Sequence, residues 1–280
     1  MEYTVKSGSP EKQRIGCVVA AVFASRKLSP SAKILDDASG GVISNLVRRG
    51  EIEGEIGQCL LLHDIENTLC DRILLVGCGK EKDLTTSNFR KINQNMVKRL
   101  EASGATEIAS YLTEAPVKHR DITWKIGQSI EAIDECLYQF NQLKSDNKPP
   151  RRPLRKFIFS VSGRGQLTDG EIAVRNSMAV STGIKLSKDL SNLPGNICTP
   201  AYLARQATTL QEQYPNVKTS VLDEAEMEQL GMGYLLDVSS GSREGGKLIP
   251  GAKMGGDKHQ AAIGLVGKGV IVDSGGTSCI

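Results

Sequence analysis

The sequence predicts an α/β chain, on three observations. Short apolar runs of strand length, such as Arg72–Gly77 (RILLVG), alternate with longer stretches whose apolar residues recur at helical spacing. The strand, helix, strand order persists along the chain, which is the pattern of a layered α/β domain. Glycine, proline and Ser/Thr/Asp clusters punctuate the elements where turns and helix starts are needed.

Taken in order, Ile15–Ala24 is apolar with small residues and reads as a buried strand, and Ser39–Arg49 carries helical spacing. Gln58–His63 and Arg72–Gly77 read as strands, the second followed by a Cys78-Gly79-Lys80 turn. Thr86–Ser103 places Phe89, Ile92, Met96, Val97 and Leu100 on one helical face behind a Thr/Ser start. Ile108–Leu112 and Phe157–Val161 are further strands, with a helix over about Ile122–Gln142 between them. Lys144–Lys156 (KSDNKPPRRPLRK) holds three prolines and six basic residues and no apolar face, so it is a loop. Asp169–Leu190 reads as a long helix. Beyond it, Thr199-Pro200 starts a helix that Tyr202–Tyr214 continues. Val217–Leu222 is a strand, Asp223–Leu230 a short helix, Gly231–Val238 a turn and helix, and Ala261–Val266 a buried strand. The alternation in this second half predicts a parallel sheet with helices on both faces, of which only the first strands are present.

Bulk properties narrow the class. The 280 residues suffice for two domains, and 39% hydrophobic content describes an ordinary soluble protein. With 35 basic and 32 acidic residues, the net charge of +3 is too small to require nucleic acid or a membrane surface as partner. Seven widely spaced cysteines without a CxxC pair favour reduced thiols in a cytosol over a disulfide framework. The opening residues MEYTVKSGSPEKQRIG lack the apolar core of a secretory signal, and no run approaches a membrane span, so the expected compartment is the cytoplasm.

The most informative stretch is LVGKGVIVDSGG, Leu265–Gly276, which sets Lys268 and Asp273 five residues apart between glycine turns. An aspartate carboxylate and a deprotonated lysine amine can together hold a hard or borderline metal ion. Ordinary turn chemistry accounts for Gly-Lys-Gly and Asp-Ser-Gly-Gly as well. Two upstream stretches, SNLPGNICTPAYLA (Ser191–Ala204) and LDEAEMEQLGMGYLLDVSSGSREGGKLI (Leu222–Ile249), add to it. The three motifs, in this order, resemble the M17 leucyl aminopeptidases, cytosolic two-metal exopeptidases with a small N-terminal domain and a larger catalytic domain. The resemblance covers Lys185–Gly276.

That resemblance implies a small N-terminal α/β domain (1–165), a linker helix (166–190) and the start of a mixed-sheet α/β metallopeptidase domain (191–280), with the chain ending inside the catalytic domain. It implies Lys268 as a lysine ligand and Asp273 as the carboxylate bridging two divalent ions, Mn2+ or Zn2+, together with peptide substrates and a homo-hexamer. The family's catalytic lysine would follow Asp273 by seven residues, where this sequence has Ile280, and the arginine of the family's NTDAEGR signature lies past the last residue. No catalytic residue is therefore identified, and the 280-residue polypeptide alone is expected to be inactive. Leu248–Ala261 also departs from the family, since Pro250 shortens a strand that usually carries an aromatic residue.

Other chemistries carry less. His63, His119 and His259 stand at no metal-ligand spacing. No GxSxG elbow or GxxxxGK[ST] loop is present, and Gly77-Cys78-Gly79-Lys80 follows a strand but lacks the remaining glycine of a dinucleotide fingerprint. The alternative to the peptidase reading is a non-catalytic N-terminal domain or remnant that binds a partner or DNA through the basic loop, by Arg151, Arg152 and Arg155. That loop has no aromatic residue to stack a base, which favours a solvated loop.

Overall fold

Residues 1–145, 153–253, 255–257 and 260–271 are described by a computed structural model, in which the chain divides into two units, Met1–Ser187 and Lys188–Ile280. The first unit runs β1 (Glu2–Ser7), β2 (Cys17–Phe23), β3 (Lys27–Leu28), α1 (Pro30–Ala38), α2 (Val42–Arg48), β4 (Cys59–His63), β5 (Arg72–Gly77), α3 (Thr86–Glu101), β6 (Glu107–Ser110), α4 (Ile122–Leu137), β7 (Lys156–Val161) and α5 (Leu167–Ser191), whose last turn falls in the second unit.

Seven strands form one mixed sheet in the order β1-β7-β6-β2-β5-β4, with β3 beside β2. β1, β7, β6, β2 and β5 run parallel, while β4 and β3 are antiparallel to their neighbours. Burial explains the sequence pattern. All of β2 is buried, and Ile73, Leu74, Leu75 and Val76 of β5 have no exposed surface, because helices cover both faces of the sheet. A strand covered on both sides reads as an unbroken apolar run rather than an alternation. On one face Val19, Leu74, Ile108 and Phe157 meet Ile92 and Met96 of α3 and Ile130 of α4. On the other, Val18, Ala20, Ile73 and Leu75 meet Leu35 of α1 and Ile43 of α2. Each such fully buried Leu or Ile contributes about 2 kcal/mol.

The helices start where side chains satisfy their first N–H groups. Ser29 Oγ accepts from Ala32 N–H at 3.2 Å with Pro30 in the first turn of α1. Thr85 Oγ1 accepts from Asn88 N–H at 3.2 Å for α3, and Asp121 Oδ1 from Trp124 N–H at 2.8 Å for α4. Such caps each contribute about 1 kcal/mol. Helix α4 stops at Leu137, five residues before the expected end, because Tyr138 turns to an extended conformation. Three strands or α-helices of this unit are absent from the sequence reading: β1, β3 and α1.

The second unit contains α6 (Pro200–Gln213), β8 (Val217–Thr219), α7 (Glu224–Gln229), α8 (Gly233–Ser239) and β9 (Gly251–Lys253). Here the expected parallel sheet is corrected: β8 and β9 pair antiparallel, and an antiparallel bridge between Leu222 and Leu248 extends the pair. The alternation located β8, but strand direction depends on which segment lies alongside, and that neighbour is β9. Ala261–Val266 is not a strand. It has no regular secondary structure, with Ile263, Leu265 and Val266 at 86%, 94% and 103% exposure. An apolar run becomes a strand only with a hydrogen-bonding neighbour, and none of the described residues pairs with it. Among the described residues no helix is long and apolar enough to cross a membrane.

Candidate metal centre

The first motif is a turn that sets a helix start. Pro194 O accepts the N–H groups of Ile197 and Cys198, both at 2.9 Å. Thr199 Oγ1 then caps α6 through Tyr202 N–H at 3.3 Å, and Pro200 opens the first turn, where its missing N–H costs nothing. Cys198 is buried.

The second motif is held together by carboxylates. Asp223 and Glu226 form a reciprocal capping box at the start of α7. Glu224 Oε1 accepts from Gly246 N–H at 2.8 Å and from Ser239 Oγ at 2.9 Å, tying α7 to α8 and to the loop before β9. The Gly246 N–H, followed by the Ser239 hydroxyl, holds the Glu224 carboxyl below its usual range. Lys247 Nζ pairs with the Asp223 carboxylate. These acidic residues are thus engaged in local structure.

The third motif is described only as far as Ile271. Lys268 lies on an exposed segment without regular structure, between Gly267 and Gly269, around which there is open space. A lysine amine and an aspartate carboxylate fit the donor preferences of a first-row divalent ion, and among the described residues nothing lies within 4 Å of a Cβ placed on Gly267 or Gly269. Asp273 and Ile280 fall outside the described residues, as does His259. Among the described residues, no three His, Cys, Asp or Glu side chains converge on a common point.

The basic loop is described at its ends only. Arg151 and Arg152 lie outside the described residues. Arg155 is exposed, and its backbone is fixed: its N–H donates to Thr106 O and its O accepts from Glu2 N–H, both at 2.8 Å. The adjacent Lys156 is neutralised by Glu2 at 2.7 Å. The Gly77-Cys78-Gly79 turn has a structural cause. A Cβ on Gly77 would sit 1.9 Å from Glu55 O, and Gly79 adopts a φ of +70°. Gly77 N–H donates to Gln58 O at 2.8 Å and Gly79 N–H to Gly54 O at 2.7 Å, so both amides a phosphate would need are engaged.

Sequence reasoning missed the polar ties inside the first unit. Asp134 of α4 accepts from the Tyr3 hydroxyl of β1 and the Ser181 hydroxyl of α5. Glu114, pushed up by burial, accepts from Ser31 N–H at the start of α1 at 3.1 Å. Lys125 Nζ, pushed down by burial, donates to Thr113 O at 2.9 Å. No local signal marks them, since an acidic residue in an amphipathic helix reads as solvent-facing.

Residues 18–147 match the model of the cytosol aminopeptidase family N-terminal domain, and residues 185–279 match that of the same family's catalytic domain. The chain is 51% identical over 278 residues to the "probable cytosol aminopeptidase" of Thioalkalivibrio sulfidiphilus, and 47% identical over 278 residues to that of Idiomarina loihiensis. Each alignment covers 99% of the chain and 56% of the relative, so the chain spans little more than half the length of these relatives. Among solved structures, a lysine-to-glutamate mutant of tomato leucine aminopeptidase superposes with a TM-score of 0.71 at 21% identity, over 89% of this chain and 50% of that one. The bottromycin maturation enzyme BotP in complex with Mn superposes with a TM-score of 0.63 at 20% identity, over 84% of this chain and 44% of that one. At these identities the structural likeness speaks for the fold.

Proposed function

Since the chain belongs to the cytosol aminopeptidase family, we propose that the protein is a metal-dependent leucyl aminopeptidase that releases N-terminal residues, preferably bulky apolar ones, from peptides in the cytoplasm. The observation that supports this reading is the LVGKGVIVDSGG stretch, which lies inside the segment matched by the catalytic-domain model. The proposed organisation is an N-terminal α/β domain over 1–165, a linker helix over 166–190 and catalytic-domain sequence over 191–280, in a protein that assembles as a hexamer.

Lys268 through its amine and Asp273 through its carboxylate would hold divalent metal ions. When bound, a pair of Mn2+ or Zn2+ ions polarises the scissile carbonyl and lowers the pKa of a water. The exposed, glycine-flanked backbone at Lys268 leaves the amine free to turn towards such a site. These two donors are too few to close a coordination sphere, and Ile280 offers no charge to a developing oxyanion. A polypeptide limited to residues 1–280 is therefore expected to be inactive.

Metal content by plasma mass spectrometry and hydrolysis of leucine anilide in excess Mn2+ or Zn2+ test this. In an active form of the protein, Asp273→Ala is expected to lose most bound metal together with turnover, because a bridging carboxylate has no local substitute. Full metal content in that variant sinks the ligand assignment, as does turnover by the 280-residue polypeptide that disappears in Lys268→Ala.

A further inference from the structure

β1 is the outermost strand of the seven-stranded sheet, six residues long and without proline. Glu2 N–H donates to Arg155 O, towards β7. Backbone groups in a parallel ladder alternate in direction, so Glu2, Thr4 and Lys6 face β7, while the N–H and C=O of Tyr3, Val5 and Ser7 face the free edge. Among the described residues this edge is unpaired, and an edge of this kind is a template for another strand.

The side chains specify which strand. If a second copy of β1 runs antiparallel about an axis at Thr4, Tyr3 meets the partner's Val5, so outward-facing residues pair with outward-facing residues. In the same register Glu2 lies opposite the partner's Lys6, and Lys6 opposite the partner's Glu2. Both are exposed in the single chain, where Glu2 also pairs with Lys156 at 2.7 Å and so would be shared with the partner's Lys6. Moving the axis to Tyr3 or Val5 removes both charge pairs, so Thr4 is the centre selected by complementarity. The Thr4 hydroxyl is buried and has no hydrogen-bond partner among the described residues. A threonine pair across the axis supplies one once the side chain rotates. Beside the edge, a groove of about 640 Å3 opens between β1 and α5, lined by Glu171, Val174, Arg175 and Met178. Met178, 41% exposed, presents apolar surface there.

We propose that the protein forms a twofold contact in which β1 pairs antiparallel with β1 of a second copy, registered on Thr4, joining two seven-stranded sheets into one. The contact is isologous, so one substitution acts twice. It involves none of the proposed metal ligands and does not depend on the peptidase reading.

Sedimentation velocity on the full chain tests it. Wild type is expected to associate, while Lys6→Glu and Glu2→Lys each raise the dissociation constant of this contact by about tenfold or more, because like charges then face each other twice. An equimolar mixture of the two variants restores association, since every cross-axis pair is again opposite in sign. As a second readout, Thr4→Cys is expected to cross-link at its new thiol under mild oxidation, because directly opposed residues of this pair type lie about 4.5 Å apart at Cα, within disulfide range. Monomeric wild type at micromolar concentration overturns the proposal. So does an assembly whose mass ignores both charge variants, or the absence of the Thr4→Cys cross-link.

Discussion

The Tyr3 hydroxyl on β1 donates to the Asp134 carboxylate on α4 at 2.5 Å, and Ser181 of α5 donates to the same carboxylate. One aspartate thereby fastens the outer strand to two helices on one face of the sheet. Burial, then Asp134, pushes the Tyr3 phenol far above its usual range.

Tyr3→Phe is expected to cost about 2 kcal/mol near neutral pH, the worth of a hydrogen bond to a charged acceptor. The pH dependence follows from the raised folded-state value. The contribution is complete below the unfolded tyrosine pKa of about 10 and is lost as pH rises beyond it, because only the unfolded chain releases the proton there. Urea titrations of both proteins at pH 8 and pH 11 check this. A stability difference that stays constant between the two pH values contradicts it.

Burial pushes the Cys17 and Cys78 thiols up to about 12 and Cys59 up to about 11. The thiolate is the reactive species, so Cys17 and Cys78 are expected to resist a disulfide reagent at pH 8 until urea unfolds the chain. Their stabilising contribution is present below about pH 9 and is lost as pH rises towards 12. Mass spectrometry of labelled peptides reads this out. Labelling of either residue at the rate of a free thiol, without denaturant, shows that the sites open.

Gly77→Ala is expected to destabilise by about 3 kcal/mol, the upper end of overpacking costs, because its Cβ would lie 1.9 Å from Glu55 O and the obstacle is backbone. Gly163→Ala, which meets nothing within 4 Å, is the control. Thermal unfolding should separate them by roughly 6–12 °C. Equal midpoints indicate that the Gly54–Gly57 loop yields to the methyl group.

Replacing Arg151, Arg152 and Arg155 together by alanine is expected to leave peptidase activity of the active protein unchanged, and DNA titrations unchanged as well. Lys156 beside them is already paired with Glu2, which lowers the charge left to attract phosphate. A weaker affinity with a shallower salt dependence in the triple variant favours the nucleic-acid reading instead.

The sheet was legible in the sequence where both faces are covered. The RILLVG run of β5 and the Phe89, Ile92, Met96, Leu100 stripe of α3 carry their burial in composition. β1 was not, because Glu2, Thr4 and Lys6 make an outer strand read as a polar leader. α1 escaped notice as one short helix whose start depends on the Ser29 cap. Ala261–Val266 failed in the opposite direction, since apolarity without a pairing neighbour does not make a strand. The proposal of Lys268 and Asp273 as ligands rests on motif order rather than on local energetics, and Asp273 lies outside the described residues.

The pairing of Glu2 with Lys156 also has a consequence for synthesis. β1 is the first strand of this sheet in chain order, yet among the described residues its neighbour in the sheet is β7. At typical elongation rates of about 5–20 residues per second, the strand waits roughly 10–30 s for that neighbour. During this interval both of its edges are open to another strand.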